Sequence, residues 1–347
     1  MSKNQHKGLS RRGFFAALGA GAASAALSRP AKANASEDVS LPEGRAGEEL
    51  CTLLDVSKCI ACGACVDACH EVNGHKYPEP TGKMPVSSPV SRVKIEDWSN
   101  RRDVDDRLTP YNWLYIQTAE VEHNGESYEI NIPRRCLHCV NPPCADLCPF
   151  GAARKQAEGI VRIDADFCFG GAKCRNVCPW HIPQRQSGVG LYMDVLPRFA
   201  GNGVMYKCDR CYDRVAQGET PACIEVCPEQ VQKIGPRKEI MAEALQLAEE
   251  RGWYLYGLEE NGGTNTIYLS PVPFSELNKA VEKGPGKPHL KPVKNTLAPQ
   301  EKLSVAVFAA PLAGIAAAAA TVIRGVKEDD EASKKNGRNS HGEGDHE

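Results

Sequence analysis

The side chains in this chain of 347 residues that could do chemistry are its sixteen cysteines, fifteen of which fall in four short runs. The first is Cys59-x2-Cys62-x2-Cys65-x3-Cys69, and the second is Cys136-x2-Cys139-x4-Cys144-x3-Cys148-Pro149. The third, Cys168-x5-Cys174-x3-Cys178-Pro179, has Gly171 where the others place their second cysteine. The fourth is Cys208-x2-Cys211-x11-Cys223-x3-Cys227-Pro228. Thiolates bind soft metals, and a cubane of iron and sulfide asks for one thiolate per iron. Three cysteines two residues apart can wrap one cluster in a tight loop. The fourth, three residues on and followed by proline, points at a neighbouring cluster. A proline in that place reads as the opening of a helical turn, where its missing N–H is no loss.

Two other chemistries use many cysteines. Paired C-x2-C units hold zinc, and exported chains carry disulfides. Zinc does not call for a third cysteine at x2 and a fourth at x3 before proline. Disulfides have no reason to generate four near-copies of one motif. The runs therefore read as iron–sulfur sites in the bacterial two-cluster ferredoxin pattern, present twice, with groups working in pairs and lending each other their last cysteines. Cys51 lies ahead of the first run and reads as a small buried residue.

The elements that must position these loops are short, as 31 glycines, 24 prolines and only 6% aromatic residues suggest. Trp113–Glu122 and Ser127–Ile132 read as two strands around His123-Asn124-Gly125-Glu126. Glu239–Arg251 reads as a helix with Ile240, Ala244, Leu247 and Ala248 on one face. Trp253–Leu258 and Thr266–Leu269 suggest a second hairpin turning at Asn261-Gly262-Gly263. The fold class expected is α+β: two nested ferredoxin-like modules with insertions, plus one C-terminal transmembrane helix.

Both ends carry targeting features. Ser10-Arg11-Arg12-Gly13-Phe14-Phe15, a mild apolar run from Phe14 to Leu27 and Ala31-Lys32-Ala33 resemble a twin-arginine export signal. That route carries folded proteins, which suits clusters inserted in the cytoplasm. Leu303–Ile323 has no charge and is long enough to span a bilayer. The segments expected are 1–33 signal, 34–49 linker, 50–135 first run and inserted hairpin, and 136–183 second module. Residues 184–282 carry the fourth run, completing the first module, with the helix and second hairpin. Then come 283–302 as an extended linker, 303–323 as the span and 324–347 as a disordered acidic tail. The expected location is the periplasmic side of the cytoplasmic membrane, with a single-pass anchor.

Four such runs, with Lys207-Cys208-Asp209-x-Cys211, Pro221-Ala222-Cys223-x3-Cys227-Pro228 and a long insertion between the first and second, resemble a known family. It is that of the four-cluster ferredoxin-like electron-transfer subunits of complex iron–sulfur molybdoenzymes. The likeness runs from about Leu53 to Pro273. The export signal, the Gly262-Gly263-Thr264 to Pro271-Val272-Pro273 segment, the C-terminal span and the acidic tail bring it nearest to the HybA-type subunit of membrane-bound uptake hydrogenases. The formate dehydrogenase-N beta subunit and the iron–sulfur subunit of high-molecular-weight cytochrome complexes are similar. The resemblance implies that the first and fourth runs share two clusters, and the second and third the other two. Carried over, Cys59, Cys62, Cys65 and Cys227 hold one 4Fe–4S cluster, and Cys69, Cys208, Cys211 and Cys223 another. Cys136, Cys139, Cys144 and Cys178 hold a third. Cys148, Cys168 and Cys174 are left for the fourth, because Gly171 cannot ligate; relatives with a non-cysteine residue there commonly hold 3Fe–4S, and 4Fe–4S with another ligand is the alternative.

No nucleophile with a positioned base, phosphate loop or dinucleotide fingerprint is present, so no catalytic residue is assigned. A net charge of −2 with scattered basic residues excludes a nucleic-acid footprint. Lys58, Arg135, Lys173 and Lys207 flank ligand cysteines and could raise nearby potentials or merely be solvated. His138 and His181 lie in cluster loops as structural residues. What the resemblance implies is a wire between an exported catalytic subunit, a nickel–iron uptake hydrogenase first of all, and a membrane quinone-reactive subunit. The same wire could serve a formate dehydrogenase, another molybdoenzyme or a multihaem cytochrome complex. The alternative of another class is a membrane anchor whose clusters are purely structural.

Overall fold

Leu50–Asp55 is apolar apart from Thr52 until its last residue, and forms β1, buried from Cys51 onward as an interior strand must be. The computed structural model describes residues 48–80, 84, 95–191, 193 and 203–298. The chain continues through α1 (Ala64–Asn73), β2 (Tyr115–His123), β3 (Glu126–Arg134), α2 (Pro143–Asp146), β4 (Ala153–Lys155) and β5 (Val161–Ile163). Then follow α3 (Lys173–Val177), β6 (Gln184–Ser187), β7 (Gly203–Tyr206), α4 (Tyr212–Val215) and α5 (Ala222–Glu225). The last elements are β8 (Gln232–Pro236), α6 (Arg237–Arg251), β9 (Tyr254–Tyr256), β10 (Thr266–Ser270) and α7 (Phe274–Ala280).

Strand pairing ties the cysteine runs together two by two. In a four-stranded sheet of order β8-β1-β10-β9, β1 runs antiparallel to β8, with Thr52 opposite Ile234, and parallel to β10. Because β1 leads into the first run and β8 leaves the fourth, their ladder brings those runs side by side. The pair β4–β5 does the same for the second and third runs, with Arg154 opposite Arg162. This mixed, ferredoxin-like arrangement is used twice, the second copy lying within the chain of the first.

The inserted hairpin forms one or two residues away from the expected strand ends. It turns on Asn124-Gly125, both at positive φ (+52° and +83°). A two-residue turn of this hand matches the twist of the strands, and Asn-Gly adopts it with little strain. On α6, Ile240 and Ala244 are buried against Cys51, Leu53, Ile267 and Leu269, and Gly252 (φ +65°) closes the helix in the left-handed conformation. The second hairpin pairs β9 with β10.

Two expectations need correction. Residues 283–298 are not an extended spacer. Leu290 is wholly buried, its N–H donates to Asn278 Oδ1 at 3.0 Å, and Lys287 pairs with Asp106 at 2.8 Å and with Glu282. Leucines among the lysines and prolines give this segment something to bury. Nor does a helix begin at the fourth cysteine: α2, α3 and α5 end just before Cys148, Cys178 and Cys227. The proline that follows cannot continue a helix and stops it there. Cys69, followed by His70 instead of proline, stays inside α1. Among the described residues no helix is long and apolar enough to cross a membrane. The export signal, the Leu303–Ile323 span and the acidic tail lie outside the described residues.

Candidate metal centres

Each cysteine run opens with the same backbone turn. Ala61 (φ +54°), His138 (+48°), Gly170 (+62°) and Arg210 (+57°) each stand two residues after the run's first cysteine, in the left-handed region. The residue after each is Cys62, Cys139, Gly171 and Cys211, so Gly171 occupies the place of a second cysteine in backbone as well as in spacing. After the three Cys-Pro pairs, Gly151, His181 and Gln230 return their N–H groups to the carbonyls of Cys148, Cys178 and Cys227 at 3.0–3.2 Å.

These turns gather the thiols into four sets. Cys59, Cys62, Cys65 and Cys227 line one cavity of about 330 Å³, and Cys136, Cys139, Cys144 and Cys178 another of about 350 Å³. In a third set, burial holds the Cys69 thiol well above its ordinary value, and Cys208, Cys223 and Cys211 add to this. In the fourth, burial lifts Cys174 to about 12, with Cys168 and Cys148 contributing. Fifteen cysteines thus lie in four sets.

Short helices join these groups. Cys65 and Cys69 share α1 one turn apart, so one side chain serves the first set and the next the second. Cys223, inside α5, and Cys227, just past its end, are joined in the same way. Cys144 and Cys148, and Cys174 and Cys178, connect the third and fourth sets. Electrostatic influence between thiols of different sets gives their order. Cys65 feels Cys223, Cys208 feels Cys136, and Cys174 feels Cys178. The sets therefore form a row from Cys59/62/65/227 to Cys148/168/174.

The row is surfaced at its two ends. Cys62 is exposed, and Ile60 and Val226 beside that first set are 61% and 42% exposed. At the other end Phe150 and Phe167 are 55% and 54% exposed. The middle sets are sunk in the core: Cys69, Cys136, Cys208 and Cys223 are all buried.

The donor set fits iron–sulfur clusters and fits the alternatives poorly. All sixteen cysteines are free thiols. Among the described residues no group of three or more His, Cys, Asp or Glu converges closely enough to hold a single metal ion, which is what tetrahedral zinc requires. Burial raises Cys65 to about 12, and Cys208 and Cys178 to about 11. Thiolates crowded in this way need cations among them, and binding metal must release their protons. Several sulfurs accept hydrogen bonds: Cys168 from Met205 N, Cys208 from Arg210 N and Cys227 from Val231 N, each at 3.4 Å. Asn73 Nδ2 donates to Cys211 Sγ at 3.5 Å and Cys69 Sγ at 3.7 Å. Such bonds to sulfur tune cluster potentials.

Of the four flanking cations, Lys58 is half exposed and lies 3.9 Å from Asp55, and Lys173 is exposed. Arg135 and Lys207 are buried. His138 is also buried, accepting from Val161 N at 3.0 Å; burial first, then Arg210, Lys207 and Arg135, keep it neutral. His181 Nδ1 lies 3.1 Å from the Arg175 carbonyl. Cys51 is fully buried in the sheet–α6 interface, and burial lifts it to about 11. Asn73 was not singled out by sequence, although it lies four residues from Cys69 on one helix face, a readable signal. The Glu96–Arg175–Arg185 cluster, with all three closest contacts at 2.7 Å, left no such trace, since its members are 79 and 89 residues apart.

Comparison with known proteins supports iron–sulfur clusters as the cofactor class. Two 4Fe-4S dicluster domain models match, over residues 58–152 and 128–237. The Hydrogenase-2 operon protein HybA of Escherichia coli O157:H7 is 31% identical over 266 residues, covering 65% of this chain and 71% of that one. The nitrate-inducible formate dehydrogenase iron–sulfur subunit of Escherichia coli K12 is 30% identical, covering 68% of this chain and 74% of that one. The formate dehydrogenase iron–sulfur subunit of Haemophilus influenzae is also 30% identical, with coverages of 68% and 70%.

Proposed function

The chain belongs to the family of iron–sulfur subunits that includes HybA and the formate dehydrogenase iron–sulfur subunits; on that premise we propose that it carries electrons along a row of four clusters between an exported catalytic subunit and a membrane quinone-reactive subunit. The coarser statement, a non-catalytic electron-transfer subunit of an oxidoreductase complex, is given by the family itself. The observation that carries the finer one is the row: four thiol sets in linear order, surfaced at its two ends.

In this reading Cys59, Cys62, Cys65 and Cys227 hold one 4Fe–4S cluster, and Cys69, Cys208, Cys211 and Cys223 the next. Cys136, Cys139, Cys144 and Cys178 hold the third, and Cys148, Cys168 and Cys174 a 3Fe–4S cluster. Bound there, iron–sulfur clusters supply one-electron carriers that change oxidation state with little rearrangement. The chain's part is to hold them in order, to exclude water from the middle two, and to set potentials through the N–H groups at sulfur. Exposed Ile60 and Val226 at one end, and Phe150 and Phe167 at the other, suit the two partner contacts. A nickel–iron uptake hydrogenase is the catalytic partner favoured by the HybA likeness, and in this reading the chain is exported by the twin-arginine route, tethered through 303–323, with its body on the periplasmic side of the cytoplasmic membrane.

Potentiometric titration of the anaerobically purified protein tests this. Clusters reducible between the hydrogen and quinone potentials support the wire. Clusters that cannot be reduced within that range favour a structural anchor.

A further inference from the structure

The two modules are joined differently from the clusters within them. Inside each module, neighbouring thiol sets share short helices with a cysteine for each. Between modules, among the described residues, no helix does this. What spans the gap is a pair of cations with matching positions: Arg135 precedes Cys136, the first cysteine of the second run, and Lys207 precedes Cys208, the first of the fourth. Each sends its side chain away from its own run's set and into the other module's. Arg135 Nη1 donates to Cys223 Sγ at 2.7 Å, in the set of Cys69, Cys208 and Cys211. Lys207 lines the cavity of Cys136, Cys139, Cys144 and Cys178, while its ammonium holds the carbonyls of Val161 and of Cys208, the latter at 3.1 Å.

Neither charge is neutralised by an acid. Arg135 is 2% exposed and Lys207 6%, and among the described residues neither takes part in an ion pair with Asp or Glu. Arg135 Nε and Nη2 are buried without a partner. A buried cation lacking a counter-ion is costly, so its partner must be the anionic sulfur beside it.

We propose that Arg135 and Lys207 form a reciprocal clasp at the module junction, each a positioning residue that raises the reduction potential of the middle cluster held by the other module. This rests on the four-cluster reading. The physical reason is charge: reduction adds a negative charge to a cluster in a low-dielectric interior, and a fixed cation in contact with its thiolate favours the reduced state. The exchange matters because the step between the second and third sets is the one crossing between modules, with buried thiols on either side. Two matched cations keep both middle potentials up together.

The test is an EPR-monitored redox titration of the full chain, purified anaerobically, with Arg135→Gln, Lys207→Gln, Arg135→Lys and Lys207→Arg. Arg135→Gln is expected to lower one midpoint, and Lys207→Gln a different one. Each should change the reduced-to-oxidised ratio at fixed potential at least tenfold, which is 59 mV for one electron. The charge-keeping variants should stay within twofold of the wild type. Unchanged midpoints in variants that retain all their clusters would overturn the proposal, as would both Gln variants shifting the same midpoint. Should a Gln variant fail to assemble, its charge-keeping partner carries the test, and a tenfold shift there refutes the charge account. A wild-type chain without iron and labile sulfide would instead refute the four-cluster reading on which this rests.

Discussion

Replacing Gly171 with cysteine should turn a three-thiolate site into a four-thiolate one. The backbone is ready for it. In the three other runs the residue at this place is Cys62, Cys139 or Cys211, each preceded by a residue at positive φ, as Gly171 is by Gly170. Gly171 itself lies outside the left-handed region, and a Cβ built on it meets nothing within 4 Å. The substitution therefore carries no steric cost, and the loss of glycine's freedom in the unfolded chain adds about 0.5 kcal/mol of stability. The larger effect is on the metal. A fourth thiolate holds a fourth iron, and the midpoint falls on the order of 100 mV, because potential follows cluster type and net charge. Low-temperature EPR of the oxidised protein, with iron analysis, reads the change. The wild type should show a 3Fe–4S signal that Gly171→Cys abolishes while adding one iron per chain. Persistence of that signal at unchanged iron content would refute the placement of Gly171. A wild type with no such signal and four irons at every site would refute the three-iron assignment.

Other consequences follow from the same geometry. Asn73→Leu removes the N–H donor shared by Cys69 and Cys211; a hydrogen bond worth about 1 kcal/mol corresponds to a drop on the order of 40 mV in one midpoint, seen by redox titration with the others unmoved. Gly203→Ala drives a Cβ into the Gln186 carbonyl across the β6–β7 pair. It should cost about 3 kcal/mol and loosen the site of Cys168, whose sulfur accepts from Met205 N on β7, so thermal unfolding and loss of the 3Fe–4S signal should move together. Burial opposes ionisation of Glu96, but Arg175 and Arg185 outweigh it and hold the carboxyl below its ordinary 4.5. Its stabilisation is therefore complete above that value and lost as pH falls through the lowered one. Glu96→Gln should cost about 2 kcal/mol near neutrality, less than a fully buried pair would, and the difference from wild type should shrink in acid denaturation profiles.

The four cysteine loops were legible because their spacing is set by the geometry of what each loop wraps; which runs exchange their last cysteines came from the resemblance and not from the spacing. The hairpin at Asn124-Gly125 was legible for a similar reason: a two-residue turn demands those residues. The helix boundaries at Cys148, Cys178 and Cys227 were not, because proline can open a helix or close one, and only the preceding turn decides which. Residues 283–298 read as a spacer from their Pro and Lys content, while the features that dock them, Leu290 and the Lys287–Asp106 pair, depend on partners far away in sequence. The same holds for Arg135. Its sequence neighbour is Cys136, yet the sulfur it touches belongs to Cys223, 88 residues on.

Everything turns on fifteen thiols binding iron and sulfide as clusters, and the most direct measurement is metal and acid-labile sulfide analysis of the protein isolated without oxygen. A brown protein with iron and sulfide in near-equal amounts, filling four sites per chain, is the expected result. A colourless protein carrying zinc and no labile sulfide would contradict it.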